Sequence, residues 1–310
     1  MRIKKNIKIF LAGHNGMVGS AILRALFRNG YKNVVTKNRN QLDLLNQSKT
    51  FEFLKKNKPK FVIVAAARVG GIIANINYKS QFLYENLQIQ NNLIHGSYLA
   101  GVKNLFLLGS SCIYPKHSKQ PMKEDYLLTG RLEESNEAYA IAKLTGIKMC
   151  EYYSKTYNLN FKSLMPPNLY GPNDNYDLNK SHFYPALIKK IHNAKLKNKN
   201  NLILWGTGKA RRELMFVDDF AEGVVFFMKK KIKEPFLNIG IGRDFPILWY
   251  AKFLMKKFKV KLKIIYDRSK PDGMPKKCLD ITRAKKYGWK PKNNFDKAFK
   301  ITYEQFLKNY

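Results

Sequence analysis

The chain has 310 residues, of which 57 are lysine or arginine and 22 are acidic, so its formal net charge at pH 7 is +35. Its hydrophobic fraction of 45% is normal for a packed globular core, and its length predicts one large domain or two unequal ones. The longest apolar run, residues 61–74, is interrupted by Arg68 and is too short for a transmembrane helix, so no membrane partner is expected.

The strong positive charge has two interpretations. A basic patch or tail is typical of nucleic-acid-binding proteins. Here the lysines are scattered along the whole chain, and Asn, Ile and Phe are also used heavily, as in AT-rich coding sequence. We therefore attribute the charge to composition and expect no nucleic-acid partner, although a basic surface also attracts phosphorylated metabolites.

Cysteine usage and the start of the chain both favour a cytoplasmic protein. Cys112, Cys150 and Cys278 are widely spaced, and there is no Cys-x-x-Cys or Cys/His cluster, so neither disulfides nor a metal site is predicted. The charged residues 1–5 are followed by an apolar run, residues 7–12, that is too short for a signal peptide.

The first predicted strand, residues 7–12, leads into a glycine-rich loop and then a helical pattern over residues 20–29. In a Gly-x-x-Gly-x-x-Gly loop the first glycine permits a tight turn. The second lets the backbone approach a pyrophosphate, and the third lets helix and strand pack closely. The helix N-terminus favours anions, so the sequence predicts a dinucleotide site. The loop residues expected to contact the cofactor are Gly13, Asn15, Gly16, Met17, Val18 and Gly19.

The end of the second predicted strand, residues 33–36, bears on the choice of cofactor. A carboxylate at this point holds the ribose diol of NAD, but here the chain offers Lys37 and Arg39 and no acidic residue. Two cations favour NADP, whose 2′-phosphate needs a positive partner. The alternative is that both are ordinary surface cations.

Predicted strands and helices alternate through the first half of the chain, which favours a doubly wound parallel sheet. At the end of the third strand, the small residues Ala65, Ala66 and Ala67 would let a cofactor lie against the backbone. The predicted elements are a helix at 41–57, a strand at 61–65, a helix at 79–100 and a strand at 105–108.

A serine at a strand end and a Tyr/Lys pair on a helix form a candidate proton-transfer group. Ser110 follows the strand at 105–108, and Tyr139 and Lys143 are four residues apart, so they share one helix face. A free phenol has a pKa near ~10, and a nearby lysine cation would lower it. The serine could hold a carbonyl oxygen while the tyrosine protonates it.

The second half of the chain follows a Pro/Gly-rich turn at residues 166–172, which is the best predicted domain boundary. We predict an α/β fold in which residues 1–166 form a doubly wound parallel Rossmann domain. Residues 167–310 would form a smaller α/β substrate domain, with room for later segments to return to the first. The predicted elements are a helix from 181, strands at 161–165, 202–205 and 236–240, and a helix from 217 to about 230.

Taken together, these motifs resemble the extended short-chain dehydrogenase/reductase family, and within it the enzymes that act on GDP-4-keto-6-deoxy sugars. The resemblance covers nearly the whole chain. The serine-cysteine motif and the Lys-Pro-Asp-Gly segment are far more specific than the glycine loop. The matching segments are 13–21, 65–72, 109–115, 139–143, 168–175, 205–208, 212–213, 217–219 and 270–277.

The resemblance implies an NADP(H)-dependent 3,5-epimerase/4-reductase that gives GDP-L-fucose or a close relative, and a homodimer. The reductase group would be Ser110, Tyr139 and Lys143, with Lys143 also at the cofactor. The epimerase acid/base pair would be Cys112 and His182. Contacts to the nucleotide sugar would come from Asn168, Arg212 and Lys277.

The sequence departs from the family pattern at two positions, and two alternative functions stay open. Pro167 stands where the family usually has threonine, and Asn15 stands where some members have arginine. Cys112 and His182 could be plain structural residues, which would leave a C4 reductase of a GDP-4-keto hexose or heptose. A basic nucleic-acid-binding protein with a degenerate Rossmann fold is the alternative from another class.

Overall fold

The structure, a computed structural model, describes residues 4–309, so the prediction about the charged start falls partly on residues 1–3, outside the described part. The helices are α1 (Met17–Arg28), α2 (Gln47–Asn57), α3 (Ile72–Asn77), α4 (Lys79–Leu99), α5 (Glu137–Tyr157), α6 (Phe183–Leu196), α7 (Val217–Met228), α8 (Ile247–Phe258), α9 (Thr282–Lys286) and α10 (Phe295–Asn309). None of these described helices is both long and apolar enough to cross a membrane.

The strands alternate with helices up to residue 165, and most of the strands after it have only two or three residues. They are β1 (Ile9–Ala12), β2 (Val34–Val35), β3 (Phe61–Val64), β4 (Asn104–Leu108), β5 (Asn160–Met165), β6 (Asn168–Tyr170), β7 (Asn201–Trp205), β8 (Arg211–Arg212), β9 (Leu214–Phe216), β10 (Phe236–Asn238), β11 (Phe245–Pro246), β12 (Lys263–Asp267) and β13 (Lys276–Lys277).

The described residues form one six-stranded parallel sheet in the order β10-β5-β4-β3-β1-β2. This confirms the predicted doubly wound α/β sheet. Its central strands β1 and β3 are buried at every residue, because helices cover both faces and leave no side for polar residues. One apolar cluster joins the sheet to α1 and α7, and a second joins it to α4 and α5.

The second half of the chain builds three small sheets, ordered β11-β8-β13, β12-β7 and β6-β9, around a third apolar cluster. β10 leaves this region and pairs with β5, so a late segment does return to the main sheet. The domain boundary at residue 166 stays a prediction.

The prediction of a helix at 41–57 was wrong for its first turn and a half, since α2 begins only at Gln47. The side chain of Asn46 accepts a hydrogen bond from the backbone N–H of Lys49 at 2.9 Å, which caps the helix there. Before it, Asn38 and Gln41 exchange side chain to backbone hydrogen bonds that stabilise a turn instead.

One buried carboxylate joins three separate segments near the small β8 sheet. Glu213 is fully buried, and its Oε1 accepts hydrogen bonds from the backbone N–H groups of Ile241 at 2.5 Å and Gly242 at 2.9 Å. Its Oε2 accepts from the N–H of Leu279 at 2.7 Å. The segment that follows β13 is thereby held against β8.

We expect Glu213→Ala to lower the free energy of unfolding by about 2–4 kcal/mol, because it leaves three backbone N–H groups, that of Leu279 buried, without their acceptor. Urea denaturation measures the change, and Glu304→Ala on the exposed face of α10 is the control. A loss below about 0.5 kcal/mol, the range of ordinary surface substitutions, would contradict this account.

Candidate active site

One cleft lies at the carboxyl ends of the parallel strands, where the second half of the chain faces the main sheet. It is lined by the start of α1, the ends of β3 and β4, the start of α5, and segments from the later half. The structure thus brings together all eight residues predicted for chemistry and substrate binding, namely Ser110, Cys112, Tyr139, Lys143, Asn168, His182, Arg212 and Lys277.

The glycine loop has the close backbone approaches that its sequence predicts. Gly13 has φ +88°, and a Cβ on it would lie 2.5 Å from the backbone nitrogen of Ala66. A Cβ on Gly19 would lie 2.0 Å from the carbonyl oxygen of Gly13. Gly16 meets nothing nearer than 3.6 Å, and no side chain caps α1. The helix N-terminus therefore stays accessible to a diphosphate, with room for it beside Gly16.

The remaining predicted cofactor residues divide into two groups. Met17, Val18, Ala65 and Ala67 line the cleft. Asn15, Ala66, Lys37 and Arg39 do not line it. Lys37 and Arg39 are exposed in the loop after β2, the strand that pairs with β1. The Nε of Arg39 lies 3.8 Å from Oδ1 of Asp43, so this exposed cation has an acidic neighbour at the surface.

Tyr139 and Lys143 lie on α5 as predicted, but the lysine does not lower the pKa of the tyrosine. The buried Lys143 donates a hydrogen bond from Nζ to the carbonyl oxygen of Leu108 at 2.9 Å, and burial lowers its own pKa to about 8. The pKa of Tyr139 is raised, mainly by burial and further by the negative charge of Cys112, while hydrogen bonding to Ser110 opposes the rise. The predicted depression is therefore not found, since burial outweighs the lysine.

The pKa of Cys112 is lowered, whereas the pKa of an ordinary buried thiol is raised. Burial acts to raise its pKa, but Lys277, Ser110 and Arg212 together lower it. Its Sγ accepts hydrogen bonds from Lys277 Nζ at 3.1 Å and Asn136 Nδ2 at 3.3 Å. By contrast, burial raises the pKa of Cys150 to about 12. Cys112 is therefore the cysteine of this pair with thiolate character.

His182 is the cap residue of α6 and lies in the same cleft as Cys112. Burial lowers its pKa, and the positive charge of Lys277 lowers it further. The lowered pKa favours the neutral imidazole of His182 at neutral pH.

The predicted substrate residues differ in what they contact. Arg212 is buried, and its guanidinium donates to the carbonyl oxygens of Met274 at 2.6 Å and Asp272 at 2.9 Å. It therefore braces the loop that carries Gly273 as well as adding charge to the cleft. Lys277 directs its amine to Cys112, whereas we predicted a contact to the nucleotide sugar.

Among the cleft residues that sequence reasoning missed are Asn136, Glu133, Lys190 and Trp205. Asn136 contacts Cys112, and Glu133 lines the cleft beside it. Lys190 on α6 places its Nζ 5.3 Å from the ring centre of Trp205, which makes an aromatic and cationic wall. Trp205 lies in a Trp-Gly-Thr-Gly motif that could have identified it, but Lys190 is one of many scattered lysines and gave no signal.

A parallel dinucleotide-type sheet with a Ser/Tyr/Lys group in its cleft defines a short-chain dehydrogenase/reductase type of enzyme. The profile of the NAD dependent epimerase/dehydratase family matches residues 9–240, and the chain belongs to this family. Within the described residues, no group of His, Cys, Asp or Glu is placed to hold a metal ion.

Similar proteins extend over almost the whole chain. A GDP-L-fucose synthase from Sinorhizobium fredii is 46% identical and covers 97% of this chain and 96% of its own length. A GDP-L-colitose synthase from Yersinia pseudotuberculosis is 40% identical, with 97% and 98% covered. A solved GDP-mannoheptose C4 reductase from Campylobacter jejuni with NADP bound is 35% identical, with a TM-score of 0.90 and 98% and 99% covered.

Proposed function

We propose that this enzyme is an NADPH-dependent 3,5-epimerase/4-reductase of a GDP-4-keto-6-deoxy sugar. The observation that carries the proposal is the Cys112 sulfur, which accepts hydrogen bonds from Lys277 and Asn136 in the cleft that also contains Ser110, Tyr139 and His182. Reduction alone needs neither the thiolate nor the histidine. The similar GDP-L-fucose and GDP-L-colitose synthases support a GDP-sugar as substrate.

The epimerase step follows from the acidity of carbons beside a ketone. The thiolate of Cys112 removes a proton from such a carbon, and the electron pair of the broken C–H bond moves to the carbonyl oxygen. Ser110 and Tyr139 donate hydrogen bonds to that oxygen and stabilise its negative charge. His182 then returns a proton to the carbon from the opposite face, which inverts the centre.

The reductase step uses the same carbonyl oxygen. NADPH, when bound, supplies the hydride that reduces the C4 carbon. Its diphosphate would lie on the N-terminus of α1 beside Gly16, and its nicotinamide end near Ala65–Ala67 and Lys143. Tyr139 delivers its proton to the oxygen, and the strongly bound phenolic proton is held in place by burial until the oxygen becomes basic.

Two alternatives remain for comparison. The similarity to a GDP-mannoheptose C4 reductase favours reduction without epimerisation, and Pro167 borders the cleft where it can alter the pose of the sugar. Nucleic-acid binding in place of catalysis is disfavoured by family membership and by the intact Ser110, Tyr139 and Lys143.

We expect the enzyme, incubated with GDP-4-keto-6-deoxy-mannose in D₂O, to incorporate deuterium at C3 and C5. Cys112→Ser should reduce this incorporation by at least about 100-fold, because it removes the base. Proton NMR of the product measures it, and Cys150→Ser is the matched cysteine control. Clean reduction by NADPH with no deuterium at either carbon would leave a C4 reductase.

We propose further that Lys37 and Arg39 bind the 2′-phosphate of NADPH. The double replacement by alanine should weaken NADPH binding about 10- to 100-fold and NADH binding much less, because only NADPH has the 2′-phosphate. Fluorescence titration gives both Kd values, and the exposed pair Lys285 and Lys286 on α9 is the charge-matched control. Equal losses for both cofactors would contradict the assignment.

We also propose a homodimer formed through α4 and α5, which pack against each other and expose several large apolar side chains. Ile141 and Tyr152 lie three helical turns apart on α5, and both are exposed, with Tyr152 at 56%. Tyr98 and Tyr157 stack at 4.2 Å between the two helices and extend the same aromatic surface. Apolar exposure of this kind marks an interaction site.

Light scattering should give twice the chain mass for the native enzyme. It should give the single-chain mass for the double variant Ile141→Arg/Tyr152→Arg, because a dimer of this variant would bury four unpaired cations. Leu196→Arg, at a 69% exposed site on α6, should leave the dimer intact. A native enzyme at the single-chain mass at micromolar concentration would refute this interface.

A further inference from the structure

We propose that Lys277 and Asn136 form a two-donor seat that holds Cys112 as a thiolate, so that Lys277 is a positioning residue for the epimerase base rather than a ligand of the nucleotide. The proposal rests on the function proposed above. It concerns how the base is prepared, and it can be tested without substrate.

The seat is visible in the contacts of the sulfur atom. Lys277 Nζ lies 3.1 Å and Asn136 Nδ2 lies 3.3 Å from Cys112 Sγ, and both groups are donors at these positions. The hydroxyl of Ser110 accepts the backbone N–H of Cys112 at 3.2 Å, which fixes the turn that carries the thiol. A sulfur that faces a cation and an amide N–H is better matched as a thiolate than as a neutral thiol.

The charges around the sulfur support this arrangement. Burial works against the thiolate, and the positive charges of Lys277 and Arg212 offset it, with the result that the pKa of Cys112 is lowered. Tyr139 also interacts electrostatically with Cys112, but it is neutral because its own pKa is raised. Lys277 is the nearest cation, so its removal should affect the thiol most.

The same ammonium group also acts on the partner acid. Lys277 lowers the pKa of His182, which makes the imidazolium a stronger acid. One cation therefore acts on both members of the pair, and it favours the deprotonated form of each. The thiolate stays deprotonated until it removes the carbon-bound proton, and His182 releases its proton more readily to the opposite face.

The fold fixes Lys277 independently of any ligand. β13 pairs with β8 in a register that places Lys277 beside Arg212, and Glu213 binds the N–H of Leu279 two residues further on. Asn136 immediately precedes α5, the helix that carries Tyr139. The seat therefore ties the epimerase base to the helix of the reductase group.

The test is the pH dependence of alkylation of Cys112 by iodoacetamide in the full-length enzyme, followed by peptide mass spectrometry. Cys150 and Cys278 are buried and serve as internal references. In Lys277→Met the midpoint of the Cys112 profile should rise by at least about one pH unit, and alkylation at pH 7 should slow several-fold to about tenfold. Asn136→Ala should produce a smaller shift in the same direction.

Two further variants keep the result interpretable. Lys277→Arg retains the charge and should keep most of the native profile, even if packing is disturbed. Lys276→Met removes a neighbouring cation that pairs with Asp244 at 3.7 Å, and it should leave the profile unchanged. If Lys277→Met leaves the alkylation profile unchanged and raises only the KM for the GDP-sugar, Lys277 is a nucleotide ligand and the proposal is overturned.

Deuterium exchange separates this proposal from the proposed function. If the seat serves epimerisation, Lys277→Met should lose deuterium incorporation at C3 and C5 at least about tenfold while C4 reduction persists. If the native enzyme incorporates no deuterium but the Cys112 profile still shifts in Lys277→Met, the seat stands and the epimerase function fails. Loss of both steps with a native alkylation profile would overturn the seat.

Discussion

The structure depends on how closely the backbone can approach itself at the carboxyl ends of β1 and β3. Gly13, Gly19 and Ala66 meet at distances that leave no room for a side chain on either glycine. This contact brings the N-terminus of α1 to the edge of the sheet, where β4 ends and Ser110 begins the next turn. Because parallel strands place all their carboxyl ends at one edge, the candidate catalytic residues of separate segments share one cleft.

Two lysines in this cleft show how the surroundings of a charge decide its use. Lys143 is buried, donates to a backbone carbonyl oxygen, and has its pKa lowered to about 8. Lys277 is only partly buried and points its ammonium group at a sulfur. Lys143 can support proton transfer through Tyr139, because its pKa of about 8 is near neutral pH. Lys277 stabilises negative charge on the sulfur of Cys112.

Local sequence patterns predicted most of the fold. The strands β1 and β3 and residues 105–108 of β4 are continuous apolar runs, and glycines or small residues follow them, so their existence did not depend on distant contacts. Element boundaries were less well predicted. The start of α2 depends on whether Asn46 caps the helix or continues it, a choice made by one side chain.

The sequence by itself determined the sheet and the dinucleotide loop, because both follow from local patterns. It singled out Ser110, Tyr139 and Lys143 by their spacing, and Cys112 and His182 by the resemblance to a family. Only the tertiary structure decided what these residues contact. The Lys277–Cys112 and Asn136–Cys112 hydrogen bonds join residues far apart in sequence. The pKa of Tyr139 follows from burial that no local pattern records. Spacing within a motif fixes which groups are near one another on a strand or helix, but charge and burial depend on segments that only folding brings together.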